Sequence, residues 1–214
     1  LEVSAWQNQP DETFTKLGIL LHGYGANKDD LIGLAEQLTP EGESWLWLSP
    51  DAPQDIPGYW FGGKQWFQLT TLSPQELHVG AQSAKHGLID FLYQALTLLN
   101  LSEKDLVIAG FSQGCMMALE AGLNLKAAPA AIVGFSGAYV SNGQSSLAHA
   151  QTKPPILLLH GNMDEVVPYA ALAHSEFALR QLDFKVETHT SIGLGHGIDA
   201  SAVGAAAAFI AKVL

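Results

Sequence analysis

Short apolar runs alternate along this chain with longer stretches of helical period. Residues 17–21 (LGILL), 45–48 (WLWL), 106–111 (LVIAGF), 130–135 (AAIVGF), 156–159 (ILLL) and 185–190 (KVETHT) are predicted as strands. Most are continuously apolar, which is how strands covered on both faces look. Helical patterns fall near residues 28–38, 74–99, 113–124, 169–182 and 198–213. The second has a defined start: Ser73-Pro74-Gln75-Glu76 supplies a Ser cap, a Pro at the first helical position and a Glu three residues after the cap. The alternation implies an α/β fold with a mostly parallel sheet and helices on both faces. Chemistry in such sheets sits on loops at the carboxyl ends of the strands. No repeat or linker divides the chain, so residues 1–214 are expected to form one domain.

Composition narrows the possible partners. The 214 residues include 10 Lys+Arg and 21 Asp+Glu, for a formal net charge of -11. The charged fraction is 14%, well under that of an average domain, and the hydrophobic fraction is 48%. A disordered chain would show the reverse. The acidic balance predicts no nucleic-acid partner and disfavours anionic membrane surfaces. Cys115 is the single cysteine, which excludes an intrachain disulfide and a cysteine zinc site and fits a reducing, cytoplasmic location. Residues 1–16 lack the basic and apolar regions of a signal peptide. No apolar run approaches the length needed to span a bilayer, so no stable membrane insertion is expected.

The chemistry begins after the third apolar run. Gly110-Phe111-Ser112-Gln113-Gly114 is a G-x-S-x-G pattern at a predicted strand-to-helix junction. A serine in so tight a turn needs glycine two residues before and after it, because a side chain there would strike neighbouring backbone. The Gln113 N–H, at a helix start, is free to meet a developing oxyanion. A glycine-bounded structural turn is the bland alternative.

A serine nucleophile needs a base, and the base needs an orienting carboxylate. His196 stands in Gly193-Leu194-Gly195-His196-Gly197, between the last strand and the last helix. His78, His86, His149, His174 and His189 read as surface or structural histidines. His22 and His160 begin His-Gly turns and read as residues that tie loops down. Asp164 follows the 156–159 run and is the candidate acid. Asp199, in a predicted first helical turn, and Glu165 are its rivals. For the second oxyanion donor, the Tyr24 N–H in His22-Gly23-Tyr24-Gly25 follows the first strand. That loop lacks the third glycine of a dinucleotide fingerprint.

The stretches LLHGYGAN (20–27), GFSQG (110–114), PPILLLHGNMDEVVPY (154–169) and GLGHG (193–197) together resemble the phospholipase/carboxylesterase family, which includes acyl-protein thioesterases. LHGYGANKDDLIGLA (21–35) and Gln65-Trp66-Phe67 look most like bacterial members. The resemblance implies a compact α/β-hydrolase without a large cap domain. It also implies Ser112 as nucleophile, Asp164 as acid, His196 as base, and the Tyr24 and Gln113 amides as oxyanion hole. Family members hydrolyse short acyl esters, lysophospholipids or protein S-acyl thioesters with no metal or organic cofactor. The implied partner is therefore a small acyl ester or thioester, and the implied state a monomer or homodimer. Cys115 departs from the family, which usually has glycine at that place.

One loop is unusually aromatic. Residues 56–72 (IPGYWFGGKQWFQLTTL) carry Trp60, Phe61, Trp66 and Leu69, the candidate wall or lid of an acyl site, with ordinary core packing as the alternative. Trp45 and Trp47 alternate in a strand and read as core. A silent relative acting as a binding module would be expected to show damage at Ser112, Asp164 or His196, and all three are present. A small peptidase or lactone hydrolase would share the same three residues.

Overall fold

The apolar runs assemble into a single sheet in the computed structural model, which describes residues 1–9, 13–59, 62–140 and 153–214. In chain order the elements are β1 (Val3–Gln7), β2 (Lys16–Leu21), α1 (Ala35–Leu38), β3 (Trp45–Pro50), β4 (Gln54–Asp55), β5 (Lys64–Gln65), α2 (Pro74–Leu99) and β6 (Leu106–Phe111). They continue with α3 (Gln113–Gly122), β7 (Ala131–Phe135), β8 (Ile156–Gly161), α4 (Ala170–Gln181), β9 (Val186–Ser191) and α5 (Ala200–Val213). Among the described residues, seven strands pair in the order β1-β3-β2-β6-β7-β8-β9. Only β1 runs antiparallel to its neighbour. Among the described residues no large cap domain interrupts them, and the fold is that of an α/β-hydrolase.

Every run predicted as a strand is a strand, within two residues at either end. β1 was not foreseen, and its burial explains why. Its residues alternate between exposed and half-buried, as an edge strand's do, so it shows no continuous apolar run. β4 and β5 form a two-residue ladder too short to leave a pattern. The helix expected over 28–38 shrinks to a 3-10 turn, Ile32–Leu34, followed by the single turn of α1. Lys28 is drawn out of it because its N–H donates to the Asp51 carboxylate at 2.7 Å.

The strands have two apolar faces, and each face carries its own core. Leu17, Ile19, Leu21, Ile108, Ile132 and Leu158 pack beneath α2, α3 and α4. Leu20, Val107, Ala109, Val133, Leu157 and Leu159 pack against α1 and α5. Trp45 and Trp47 join the second face as fully buried residues, stacked with ring centroids 5.4 Å apart. Gly18 makes room for them: a Cβ there would lie 2.1 Å from the Trp47 ring on the adjacent strand.

α2 begins as its capping signal predicts, with the Glu76 N–H donating to Ser73 Oγ. The Glu76 carboxylate reaches back further than a capping box requires and accepts from the Thr70, Thr71 and Leu72 amides. Desolvation works to raise its pKa, but the hydrogen bonds from Thr71, Thr70 and Leu72 prevail and bring it down to about 2. These bonds fix the end of the aromatic loop onto α2.

Helices α2 and α3 share a buried polar cluster. Lys85 Nζ lies 3.1 Å from Glu120 Oε1, and both side chains are buried. Gln82 Nε2 donates to the same carboxylate at 2.6 Å, and Asn124 Nδ2 at 3.2 Å. Burial raises the Glu120 carboxyl above its ordinary range, against the pull of Lys85. A buried pair that loses one partner leaves an uncompensated charge. Lys85→Met should therefore lower the unfolding free energy by about 3 kcal/mol near neutral pH. With a raised folded-state pKa, stability is regained as pH falls towards the unfolded carboxyl's range, because the folded form then holds the proton. Urea unfolding of both proteins at pH 7.5 and pH 5 checks this. A deficit that fails to shrink at the lower pH overturns it.

Candidate active site

Ser112 is the single residue between the end of β6 and the start of α3. Its backbone sits at φ 54° and ψ -115°, a region that side-chain-bearing residues rarely occupy. The surroundings hold it there. Its N–H donates to Phe135 O on the neighbouring strand at 2.9 Å, and its carbonyl accepts from Cys115 and Met116 in the first turn of α3. Glycine is required on both sides, as the motif predicts. A Cβ at Gly110 would lie 2.2 Å from Gly114 O, and one at Gly114 would lie 1.9 Å from Leu21 O.

His196 closes onto this serine from the loop after β9. Its Nε2 lies 3.0 Å from Ser112 Oγ, and its Nδ1 lies 2.8 Å from Asp164 Oδ2. A carboxylate can only accept, so Nδ1 carries the hydrogen and Nε2 offers its lone pair to the serine hydroxyl. The loops that bring these groups together are tightly joined. A Cβ at Gly161 would lie 2.3 Å from Leu194 O, and Met163 N–H donates to that same carbonyl at 2.9 Å. The Phe111 ring backs the imidazole at 4.8 Å between centroids.

Asp164 follows β8, and its side chain has no solvent exposure. Its Oδ1 accepts from the Val166 and Val167 amides at 2.9 and 3.0 Å. Its rivals are occupied elsewhere. Asp199 caps α5, and the bond from the Ala202 N–H is the main reason its pKa lies below the ordinary range. Glu165 is exposed. Of the other histidines, His78 meets Val140 O, His189 meets Ser201 Oγ, and His86 and His174 are exposed. His149 lies outside the described residues.

The two amides expected to face an oxyanion belong to segments that touch. A Cβ at Gly23 would lie 3.4 Å from Ser112 Cβ, so the backbone before Tyr24 runs directly against the serine. Gln113 is the first residue of α3, where the helix itself leaves the N–H unpaired. The buried Gln113 side chain does something the sequence reading missed. Its Oε1 accepts from Trp66 N–H at 2.9 Å, and its Nε2 donates to Phe67 O at 2.8 Å. The Trp66 indole N–H in turn donates to His22 O at 2.9 Å. His22 accepts from Ala52 N–H at Nε2 and donates from Nδ1 to Gly23 O at 2.7 Å. Burial lowers the His22 pKa, consistent with a neutral ring making both bonds. The chain Gln113–Trp66–His22–Gly23 thus links the two segments from behind.

This network corrects the expectation for Trp66. With 1% of its surface exposed and both N–H groups committed, it braces the loop from inside and offers no open wall to an acyl chain. Leu69 is half-buried against the α2–α3 core. Trp60 and Phe61 lie outside the described residues. Other apolar side chains are open on the loops around Ser112: Tyr24, Met163, Val166 and Ile192 are all exposed. Their exposure left no mark in the sequence, because short apolar stretches in loops do not reveal whether they face inward or outward.

Cys115 points away from this surface. It is buried, and Gly134 and Gly137 leave space for its Sγ, which would otherwise lie 2.5 and 2.6 Å from a Cβ. Burial pushes its thiol up to about 12. Iodoacetamide at pH 8 should leave the folded protein unmodified and alkylate Cys115 once urea unfolds it, as intact-mass measurement would reveal. Gln113→Leu should keep the fold and its N–H yet slow any turnover at this site by up to about 100-fold, the penalty of a small misplacement of a positioned group. Unchanged turnover in the folded variant would deny the side chain any part in positioning its amide.

Comparison with known proteins identifies the family. The family model described as Phospholipase/Carboxylesterase matches residues 7–214. Acyl-protein thioesterase 1 of Yarrowia lipolytica is 30% identical over 195 residues, covering 83% of each chain. Esterase YpfH of Escherichia coli is 25% identical over 201 residues, covering 89% of this chain and 79% of its own. The crystal structure of esterase PE8 superposes over the full length of both chains with a TM-score of 0.89 at 33% identity. The Bacillus cereus carboxylesterase shares the fold at a TM-score of 0.78 and 20% identity, over 99% of this chain and 95% of its own. With the strand order, the strained serine and the family match in agreement over nearly the whole chain, this protein belongs to the phospholipase/carboxylesterase family of α/β-hydrolases.

Proposed function

We propose that this protein is a serine hydrolase that cleaves carboxylic esters of short to medium acyl chains through a Ser112–His196–Asp164 triad. The observation that carries the reading is the unbroken relay from Ser112 Oγ to His196 Nε2 at 3.0 Å and from His196 Nδ1 to Asp164 Oδ2 at 2.8 Å. Ser112 Oγ attacks the carbonyl carbon while His196 Nε2 takes its proton. Asp164 holds the imidazole and balances its positive charge. The N–H groups of Tyr24 and Gln113 receive the oxyanion. The proton on Nε2 then passes to the departing alcohol, leaving an acyl-enzyme. Water, deprotonated by the same nitrogen, then attacks the acyl carbon; the bond to Ser112 Oγ breaks, the proton returns from Nε2 to Oγ, and the acid leaves.

The same groups would cleave a thioester, with a thiol leaving in place of the alcohol. That second reading draws support from the acyl-protein thioesterase name of the Yarrowia lipolytica relative. The exposed apolar residues Met163, Val166 and Ile192 near the triad suit an uncharged acyl chain under either reading. Because all three triad groups are bonded to one another, a binding module without activity has no observation in its favour.

A fluorophosphonate probe should label the wild-type protein and leave Ser112→Ala unlabelled. The same substitution should cut hydrolysis of p-nitrophenyl butyrate by at least on the order of 10⁴-fold. An unlabelled but folded wild type would refute the nucleophile. A series of nitrophenyl esters of rising chain length, run beside a palmitoyl thioester, decides between the ester and thioester readings.

A further inference from the structure

Asp164 is held by more than one histidine. Its Oδ2 accepts from His196 Nδ1 at 2.8 Å and lies 3.2 Å from His160 Nε2. The His160 side chain is 1% exposed, and the same Nε2 lies 2.9 Å from Val167 O. Both neighbours of that nitrogen are oxygens that can only accept, so Nε2 must carry a hydrogen; it is directed at Val167 O, with Oδ2 of Asp164 within ion-pair distance of the same N–H. The opposite tautomer would aim a lone pair at two acceptors.

We propose that His160 is a positioning residue for the triad: its Nε2–H, bonded to Val167 O and close against Oδ2 of Asp164, ties down the Asp164 loop and offsets part of the carboxylate's charge, setting how strongly Asp164 holds His196. This inference rests on the ester-hydrolase reading of Ser112, Asp164 and His196. Three features of the site support it. Oδ1 is held by the Val166 and Val167 amides, which leaves His196 and His160 as the groups that face Oδ2. His160 stands at the end of β8, paired with Thr190 on β9, so it approaches from the rigid sheet. Its bond to Val167 O also ties the far end of the Asp164 loop back to the strand. Carboxylate, loop and base are thereby referenced to one ring.

The charged and titratable groups facing this ring are Asp164 and, edge-on at 6.1 Å, Tyr169. Those facing His196 are Asp164 and Ser112. Without the Nε2–H donor, more negative charge remains on Oδ2 opposite His196. The imidazolium is then favoured, and the enzyme loses its base at a higher pH as acid is added.

The test compares His160→Gln, whose side-chain amide can replace the Nε2–H, with His160→Leu, which cannot donate. Wild type and Ser112→Ala are carried in the same series. His160→Leu should lower kcat on the order of 10²-fold with KM little changed, the penalty of a small misplacement at a reacting group. The acid limb of its kcat/KM profile should move to higher pH, and its downfield NMR proton on His196 Nδ1 should shift or broaden. His160→Gln should recover most of kcat and return the limb towards the wild-type position. If both variants lose kcat equally with the limb unmoved, His160 is merely structural and the proposal fails. It fails equally if His160→Leu keeps wild-type kcat. Should the leucine variant not fold, His160→Asn, whose shorter amide cannot reach Oδ2, takes its place under the same criteria. Activity surviving in Ser112→Ala would instead overturn the underlying reading, so the two failures remain distinct.

Discussion

The structure turns on one strained residue. Ser112 adopts a left-handed backbone conformation that an isolated chain would avoid, at a cost of order 1–3 kcal/mol. It persists because the sheet and α3 over-determine it. Phe135 O fixes its N–H, the first turn of α3 takes its carbonyl, and Gly110 and Gly114 remove the two side chains that would prevent closure. The absent Cβ at Gly114 also lets the helix start press against Leu21 O and His22 O on the neighbouring strand. The turn that exposes the hydroxyl is therefore the same contact that sets the spacing between the Tyr24 and Gln113 segments.

Parallel pairing extends this constraint across the sheet. Because β2, β6, β8 and β9 all point the same way, their carboxyl ends deliver Tyr24, Ser112, Asp164 and His196 to one edge. The order of these residues in the chain matters less than the order of their strands. β7 separates β6 from β8, yet its contribution at this edge is small: Phe135 O, Ser136 and Gly137 brace the serine turn and the loop of His196. The aromatic loop is locked beneath this edge by the Gln113 and Trp66 side chains, so the floor of the site is built from buried hydrogen bonds as much as from apolar packing.

Sequence periodicity carried the fold far because burial on both faces erases polar alternation. Leu106–Phe111 and Pro74–Leu99 were legible to the residue, the one as an unbroken apolar strand, the other through its capping serine and first-turn proline. Val3–Gln7 was illegible for the opposite reason: an edge strand exposed along one side looks like any polar segment. For the site, Ser112, Asp164 and His196 were named from glycine spacing and position after strands, and the fold brings them within hydrogen-bonding distance. What the sequence withheld are long-range bonds made by unremarkable residue types. Nothing local marks Gln113 as a brace for residues 66 and 67, because that contact spans more than forty positions. Trp66 misled for a related reason. A tryptophan in a loop signals apolar area, but only the packed chain reveals whether that area faces inward.

The scarcity of charge acquires a meaning once burial is known. Among the described residues the buried ionisable acids and bases other than histidine and cysteine are Asp51, Lys85, Glu120 and Asp164. Lys85 and Glu120 answer each other, and Asp51 accepts the Lys28 amide. Asp164 has no lysine or arginine within ion-pair distance among the described residues; two amides and two imidazoles surround it. The distinction is functional in physical terms. A guanidinium or ammonium beside Asp164 would neutralise it permanently and leave little field for a neighbouring imidazole. Under the proposed reading, the surrounding amide and imidazole dipoles stand in for solvent and leave the carboxylate most of its charge for the moment His196 gains a proton. A permanent cation here would stabilise the resting fold at the expense of the protonated intermediate. Surrounding one buried acid with dipoles instead keeps the stabilisation directed at the step in which charge develops.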